Sequence, residues 1–280
     1  MMAELDKTLK KNIDLLKDRI YIKKKASLII IDGYQGEGKT TLGVQIADDY
    51  QGKEIDLTNV EQLSVGGQDF QVKFDICIEK GYIVIIYDEA GDFDKYSSYT
   101  DFNKVMSQLF RTFRTYKILV IMILPNFNDL DSRLFKNGIP RLLLHCHGKT
   151  EKFGRFKAYG LWRMEHLRLK LKMYANKMLP QEVYKYVRPN FKGKFYDLSP
   201  ERSKLLDKIS TEGKSDMRIK TRIKQDGLIT TKDLAKELNR SILWVKKKVT
   251  EKGIKPNIVH KRTFYFEKSI IEQLEGEKKK

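Results

Sequence analysis

Residues 28–40 read Leu28-Ile29-Ile30-Ile31-Asp32-Gly33-Tyr34-Gln35-Gly36-Glu37-Gly38-Lys39-Thr40, and their reading decides the fold. Leu28 to Ile31 is a short apolar run, rich in β-branched side chains, that suits a buried strand. Gly33-x-x-x-x-Gly38-Lys39-Thr40 is the Walker A pattern, and Leu42, Val44, Ile46 and Ala47 then recur at helical spacing. Strand, glycine turn and helix in that order are the context the pattern requires. Gly33, Gly36 and Gly38 let the backbone curl so that its N–H groups face a triphosphate, and the helix N-terminus adds partial positive charge. Glu37 and Thr41 border the same loop. Lys39 is placed to reach the β- and γ-phosphates, and the Thr40 hydroxyl to ligate Mg²⁺. The expectation is an α/β P-loop core that binds ATP and Mg²⁺.

Outward from the loop, apolar runs alternate with helical patterns. Residues 1–25 carry Leu5, Leu9, Ile13, Leu16 and Ile20 at helical spacing and predict an N-terminal helix. Lys53 to Leu57 reads as a short edge strand and Phe70 to Glu79 as a helix. Tyr82 to Tyr87 is a buried strand running into Asp88-Glu89, Asp101 to Tyr116 a helix, and Ile118 to Leu124 a further buried strand closed by Pro125-Asn126. A helix through Leu130 and Leu134 and a strand at Arg141 to Cys146 follow. Continuous apolar runs between helices predict a mostly parallel sheet covered on both faces. Gly148 to Leu161 reads as an edge strand or hairpin, and Met164 to Met178 as a basic helix. Residues 188–226, with Pro189, Gly193, Pro200, Gly213 and Ser215, read as a loose connection holding one short helix, Pro200 to Ile209. The resulting division is an N-terminal helix (1–25), a P-loop domain (26–187), a linker (188–215) and a small module (216–280).

Charge divides the 280 residues as sharply as the motifs do. The net charge is +18, yet residues 1–135 hold 18 Lys and Arg against 21 Asp and Glu, and residues 136–280 hold 37 against 16. The nucleotide half is near neutral and the second half suits a polyanion. Cys77 and Cys146 are the only cysteines, both in apolar stretches, which excludes a disulfide scaffold and points to a reducing cytoplasm. The longest apolar run, Ile118 to Leu124, falls far short of the ~20 residues that span a bilayer, so no membrane segment is expected.

Asp88-Glu89 after four apolar residues is a Walker B motif. At a strand tip beside the glycine loop, Asp88 holds the Mg²⁺ hydration shell and Glu89 polarises the attacking water. A glutamate there favours ATP hydrolysis by a motor over a signalling GTPase or a small-molecule kinase. Asn126, at the next strand tip, is either a sensor of the γ-phosphate or a polar residue ending a strand. Arg111 and Arg114 lie three apart on one helix face; each is either an arginine finger for a neighbouring subunit or an ordinary solvated side chain. His145-Cys146-His147 alternates faces in a strand, so one site sees two ligands at most and ordinary strand residues are expected.

Walker A, Walker B with its glutamate, Phe110-Arg111-Thr112-Phe113-Arg114 and the strand ending Leu124-Pro125-Asn126 together resemble the FtsK/HerA superfamily of RecA-like motors. Virus-type DNA-packaging ATPases and Zot-like phage proteins come nearest. The resemblance covers roughly residues 26–147. It departs from the family at Asn126, where glutamine is usual, and in lacking the membrane segment of Zot-like proteins. It implies a ring, hexameric in the family, that moves DNA using ATP.

The C-terminal module is read independently. Thr231 predicts an N-cap for a helix over Lys232 to Leu238, Asn239-Arg240 a turn, and Ser241 the cap of a second helix. Ile242, Val245 and Val249 point inward there, and Lys246, Lys247 and Lys248 mostly outward. Ile258 to Phe266 reads as a hairpin with Lys261 and Arg262 at its middle, before a short helix around Ser269 to Leu274. The pattern resembles winged helix-turn-helix domains of the excisionase and MerR sort. Such a domain would contact DNA through Lys246, Lys247, Lys248, Lys261 and Arg262. Three functions stay open on sequence grounds: an ATP-driven DNA translocase, an AAA+-like initiator or helicase loader, and a non-motor DNA-binding regulator switched by ATP.

Overall fold

A computed structural model describes residues 4–88, 115–127, 130, 138–175, 177–261 and 263–275. They form two compact units, Met1–Ser210 and Thr211–Lys280. In the first, a seven-stranded sheet has the order β2-β3-β4-β1-β5-β6-β7. The strands are β1 (Leu28–Gly33), β2 (Leu63–Val65), β3 (Val84–Asp88), β4 (Leu119–Ile123), β5 (Pro140–His147), β6 (Gly154–Gly160) and β7 (Phe191–Phe195). The first five pair parallel, and β6 pairs antiparallel with both β5 and β7, the mostly parallel α/β sheet that the apolar runs predict.

The continuous apolar runs arise because both faces of the central strands are covered. Leu28 and Ile30 of β1 pack into one core with Ile85, Val120 and Met122. Ile29 and Ile31 enter the other with Val84, Ile86, Ile121 and Ile123. Helix α1 (Lys7–Tyr21) buries Leu9, Ile13, Leu16 and Ile20 in this second core, so it is part of the sheet unit and not an appendage. Its N-cap is Asp6, which accepts the N–H groups of Thr8 and Leu9. Helix α2 (Lys39–Gln51) packs on the same face, and α3 (Gly67–Lys80) covers the opposite one with Phe70, Phe74 and Cys77. Helix α4 (Leu161–Met173) and a 3-10 helix (Pro180–Tyr186) complete that side with Met164, Leu167 and Tyr184. Among the described residues no helix is long and apolar enough to cross a membrane.

Three expectations are corrected. Lys53 to Leu57 is not a strand: the Ile55 N–H donates to Asp48 Oδ1 (2.8 Å), and Arg202 donates to the Ile55 carbonyl (3.2 Å). The edge strand is β2, held to β3 by Ser64 Oγ on the Ile86 carbonyl (2.9 Å). Residues 188–215 are not a loose linker. Phe191 and Phe195 face the core while Lys192 and Lys194 face out, a period-two pattern that makes β7. From Pro200 the chain is one helix, α5 (Pro200–Gln225), because Gly213 and Ser215 each cost a helix only about 1 kcal/mol or less.

Arg202 on α5 makes a two-pronged contact with Asp48, at 2.6 and 3.1 Å. Arg202→Ala would leave that buried carboxylate without its cation. The expected cost is about 3 kcal/mol, read as a lowered urea midpoint at unchanged m-value.

In the second unit, α6 (Thr231–Glu237) and α7 (Ile242–Glu251) join through Asn239, whose left-handed backbone (φ 51°) makes the turn. The cap of α6 is Thr230 and not Thr231: Thr230 Oγ1 accepts the Asp233 N–H (3.2 Å), and the Asp233 carboxylate accepts the Thr230 N–H in return (3.0 Å). Ser241 accepts from the Trp244 N–H and caps α7. Strands β8 (Ile229–Thr230), β9 (Ile258–His260) and β10 (Thr263–Phe266) form a small sheet in the order β8-β10-β9. With α8 (Ile270–Glu275) they enclose a core of Leu234, Leu238, Val245, Phe266 and Ile270.

Candidate nucleotide site

Each residue of the 33–41 loop is placed by what lies beside it. Gly33 ends β1 at φ +141°, and a Cβ there would stand 2.4 Å from the Cys146 carbonyl oxygen on β5. Gly36 turns at φ +84° in open space. Gly38 (φ +75°) is the N-cap of α2, and a Cβ there would stand 2.9 Å from the Phe195 ring. No side chain caps α2, so its first-turn N–H groups, from Lys39 onward and including Thr41, stay available to an anion at the loop. A curled backbone, an uncapped helix end and a lysine over both fit a triphosphate.

The charged groups converge on that loop. Lys39 Nζ donates to the carbonyls of Gly33 (2.9 Å) and Tyr34 (2.8 Å), which holds the ammonium across the loop's concave side. Glu37 turns the other way and accepts the Lys149 N–H (2.8 Å), tying the loop to the β5–β6 turn. Asp88 is the last residue of β3, two strands from β1, yet Thr40 Oγ1 donates to its Oδ2 at 2.8 Å. Hydroxyl and carboxylate together form an all-oxygen donor pair suited to Mg²⁺. Asn126 lies half-buried just past β4, the strand between β3 and β1. Glu89, Arg111, Arg114 and Arg262 lie outside the described residues.

Behind the loop is a polar network that the motifs do not announce. Asp32, 1 % exposed, precedes Gly33 on β1. Its Oδ1 lies 2.9 Å from His145 Nδ1 on β5, and its Oδ2 accepts the Phe127 N–H (3.1 Å) and the Tyr184 hydroxyl. The His145 and Tyr184 rings stack with centroids 3.7 Å apart. Burial first, and then the charge of Asp32, hold the Tyr184 phenol well above its ordinary value, so it serves as a hydrogen-bond donor. His145 is thus committed to Asp32, and burial pushes the neighbouring Cys146 thiol up. A charged residue inside an otherwise apolar strand run, Asp32 after Ile31, is the one sequence signal that could have pointed to this network.

In the second unit the basic side chains are spread over two elements. Lys246 is exposed on α7, and Lys247 and Lys248 stand 3.7 and 3.2 Å from Glu251. Lys261, in the β9–β10 turn at φ 46°, pairs with Asp216 of α5, whose other oxygen meets His260 Nε2 at 3.0 Å.

No protein-family model and no curated protein matches the chain. Solved structures similar to part of it include the following three. The N-terminal domain of zonular occludens toxin from Neisseria meningitidis is 15 % identical with a TM-score of 0.38, over 65 % of this chain and 97 % of that one. The FIGL-1 AAA domain in complex with ADP is 16 % identical at 0.38, over 68 % and 84 %. A further ATPase domain is 9 % identical at 0.27, over 47 % and 76 %.

Proposed function

We propose that the protein is a Mg²⁺-dependent ATPase that works as an oligomeric DNA motor, with residues 216–280 as its winged helix-turn-helix DNA-binding domain. One observation carries the hydrolytic reading: the Thr40–Asp88 hydrogen bond, which brings the two nucleotide motifs together although 48 residues separate them. A bound Mg²⁺ would supply Lewis-acid stabilisation of the charge on the phosphates. The N–H groups of the glycine loop and of α2 hold the phosphates, and Lys39 exchanges its two carbonyl partners for phosphate oxygens. Thr40 and Asp88 would hold the metal. Glu89, next in sequence after Asp88, takes the proton of the attacking water, and Asn126 orients that water from the neighbouring strand tip. Arg111 or Arg114 serves as the finger that a neighbouring subunit receives on its γ-phosphate.

The lysine-bearing α7 and the turn carrying Lys261 support DNA contact, as does the positive charge of the second half of the chain. The test measures phosphate release by the full-length chain with and without duplex DNA, beside Glu89→Gln. ATP turnover that rises with DNA and falls about a hundredfold or more in Glu89→Gln is expected. A chain that binds DNA but never splits ATP would end the motor reading.

A further inference from the structure

The antiparallel extension of the sheet leaves one face partly uncovered. Leu143 and Tyr159 on that face are buried among Met164, Leu167 and Tyr184. Nearer the glycine loop the same face carries His147 of β5, Arg155 and Lys157 of β6, and Lys192 and Lys194 of β7. The register sets like charge against like charge, with Arg155 opposite Lys194 and Lys157 opposite Lys192. Directly opposed cations destabilise a sheet. None of these four is ion-paired among the described residues; Arg155 and Lys194 instead lie 5.3 and 4.6 Å from the ring centroid of half-exposed Phe153.

Edge protection is the ordinary reason for outward lysines, and it covers β7, the outermost strand. It does not cover Arg155 and Lys157, because β6 is paired on both sides. Lys157 is also held below its ordinary value, first by burial and then by Lys192. A repulsive ladder on an interior strand is kept at a cost to the fold, and a polyanion laid over it would relieve that cost.

We propose that Arg155, Lys157, Lys192 and Lys194 form a docking surface for the phosphate backbone of a single-stranded nucleic acid. Residues two apart on a strand are about 6.7 Å apart, and opposed residues about 5 Å. Four cations in so small a rectangle suit successive phosphates of one strand. One backbone of a duplex has a similar phosphate spacing, but its bases stay stacked and leave nothing for an aromatic ring beside the cations to take. Phe153 adds an aromatic surface among the cations, the combination that single strands use. The rim of the surface opens on a cleft of about 570 Å³ that Glu4 and Asp6 also line, Asp6 being committed to the cap of α1. The surface lies on the strand-end side where the loop sits, since Gly33 pairs with Cys146 beside His147. The inference deepens the proposed DNA-handling role and rests on it for the choice of polyanion, but binding here needs no ATP cleavage.

The test uses the full-length chain without nucleotide and a fluorescein-labelled single-stranded oligonucleotide, with anisotropy followed over a salt series. Lys192→Gln/Lys194→Gln and Arg155→Gln/Lys157→Gln are each expected to weaken binding roughly tenfold at low salt and to flatten the logarithmic salt slope by about 1.4, two contacts at about 0.7 each. Removing opposed like charges should leave the melting temperature equal or higher, which separates this loss from misfolding. Unchanged slopes in both double variants overturn the proposal, as does a lowered melting temperature with unchanged binding. An equal or greater loss for a duplex of the same sequence overturns the single-strand assignment. Double variants that bind the oligonucleotide less, in a protein whose wild type never hydrolyses ATP, would leave this surface standing and remove the motor. A hydrolysing chain with unmoved slopes would do the reverse.

Discussion

Lys39→Ala is expected to abolish ATP turnover, a loss of about a thousandfold or more in kcat. The Lys39 ammonium is held over the loop by two carbonyls, at 2.9 and 2.8 Å, on the side where the α2 N-terminus is uncapped. Lys149 also lies beside Gly38, but Asp197 engages its ammonium at 2.9 Å, so it is not expected to replace Lys39 when charge builds on the transferring phosphoryl group. Both of its hydrogen bonds are local, to residues five and six positions earlier, and the side chain is half-buried, so the fold should survive the truncation. Lys39→Arg should not rescue turnover, because a planar guanidinium fork does not fit where a compact ammonium reaches between phosphates. Phosphate release within about tenfold of wild type, with an unchanged melting curve, would remove Lys39 from the reaction.

Asp32→Ala is expected to give the largest loss of stability, about 3–5 kcal/mol, against a total that is about 5–15 kcal/mol for most domains. Three elements converge on that carboxylate: β5 through His145, the segment after β4 through the Phe127 N–H, and the 3-10 helix through Tyr184. Alanine would leave all three polar groups buried without their shared partner, each at about 1–3 kcal/mol. Asp32→Asn keeps one acceptor oxygen and should lose roughly half as much. The same carboxylate fixes Phe127 beside Asn126, so Asp32→Asn should also lower kcat more than it raises KM if the proposed role of Asn126 holds, by freeing the strand tip that carries it. Equal urea midpoints for Asp32→Ala and wild type would show that the network carries no stability.

The nucleotide loop was legible because its chemistry is local. Gly33, Gly36, Gly38, Lys39 and Thr40 act within one turn of chain, and the strand before and helix after them follow from apolar spacing alone. The central strands were legible for a related reason: burial on both faces leaves an unbroken apolar run. Misreading began where a short signal competed with turn residues. β7 alternates cleanly, but Pro189 and Gly193 masked it, and the three residues of β2 are too few to show a period. In α5, Gly213 and Ser215 looked like breakers although the helix runs through them.

Sequence alone determined the order of strand, glycine turn and helix at residues 28–51, that the sheet would be mostly parallel, and that the second half of the chain would be the cationic one. Tertiary structure decided what those pieces do to one another. Asp32 meets Phe127, His145 and Tyr184 across 95, 113 and 152 residues, and no spacing rule reaches so far. Arg155 faces Lys194, and Lys157 faces Lys192, only because of the β6–β7 register, which a one-residue slip would undo. The physical reason is the same in both cases: side-chain chemistry is written along the chain, while charge and hydrogen bonding act through space, and strand order and register convert one into the other.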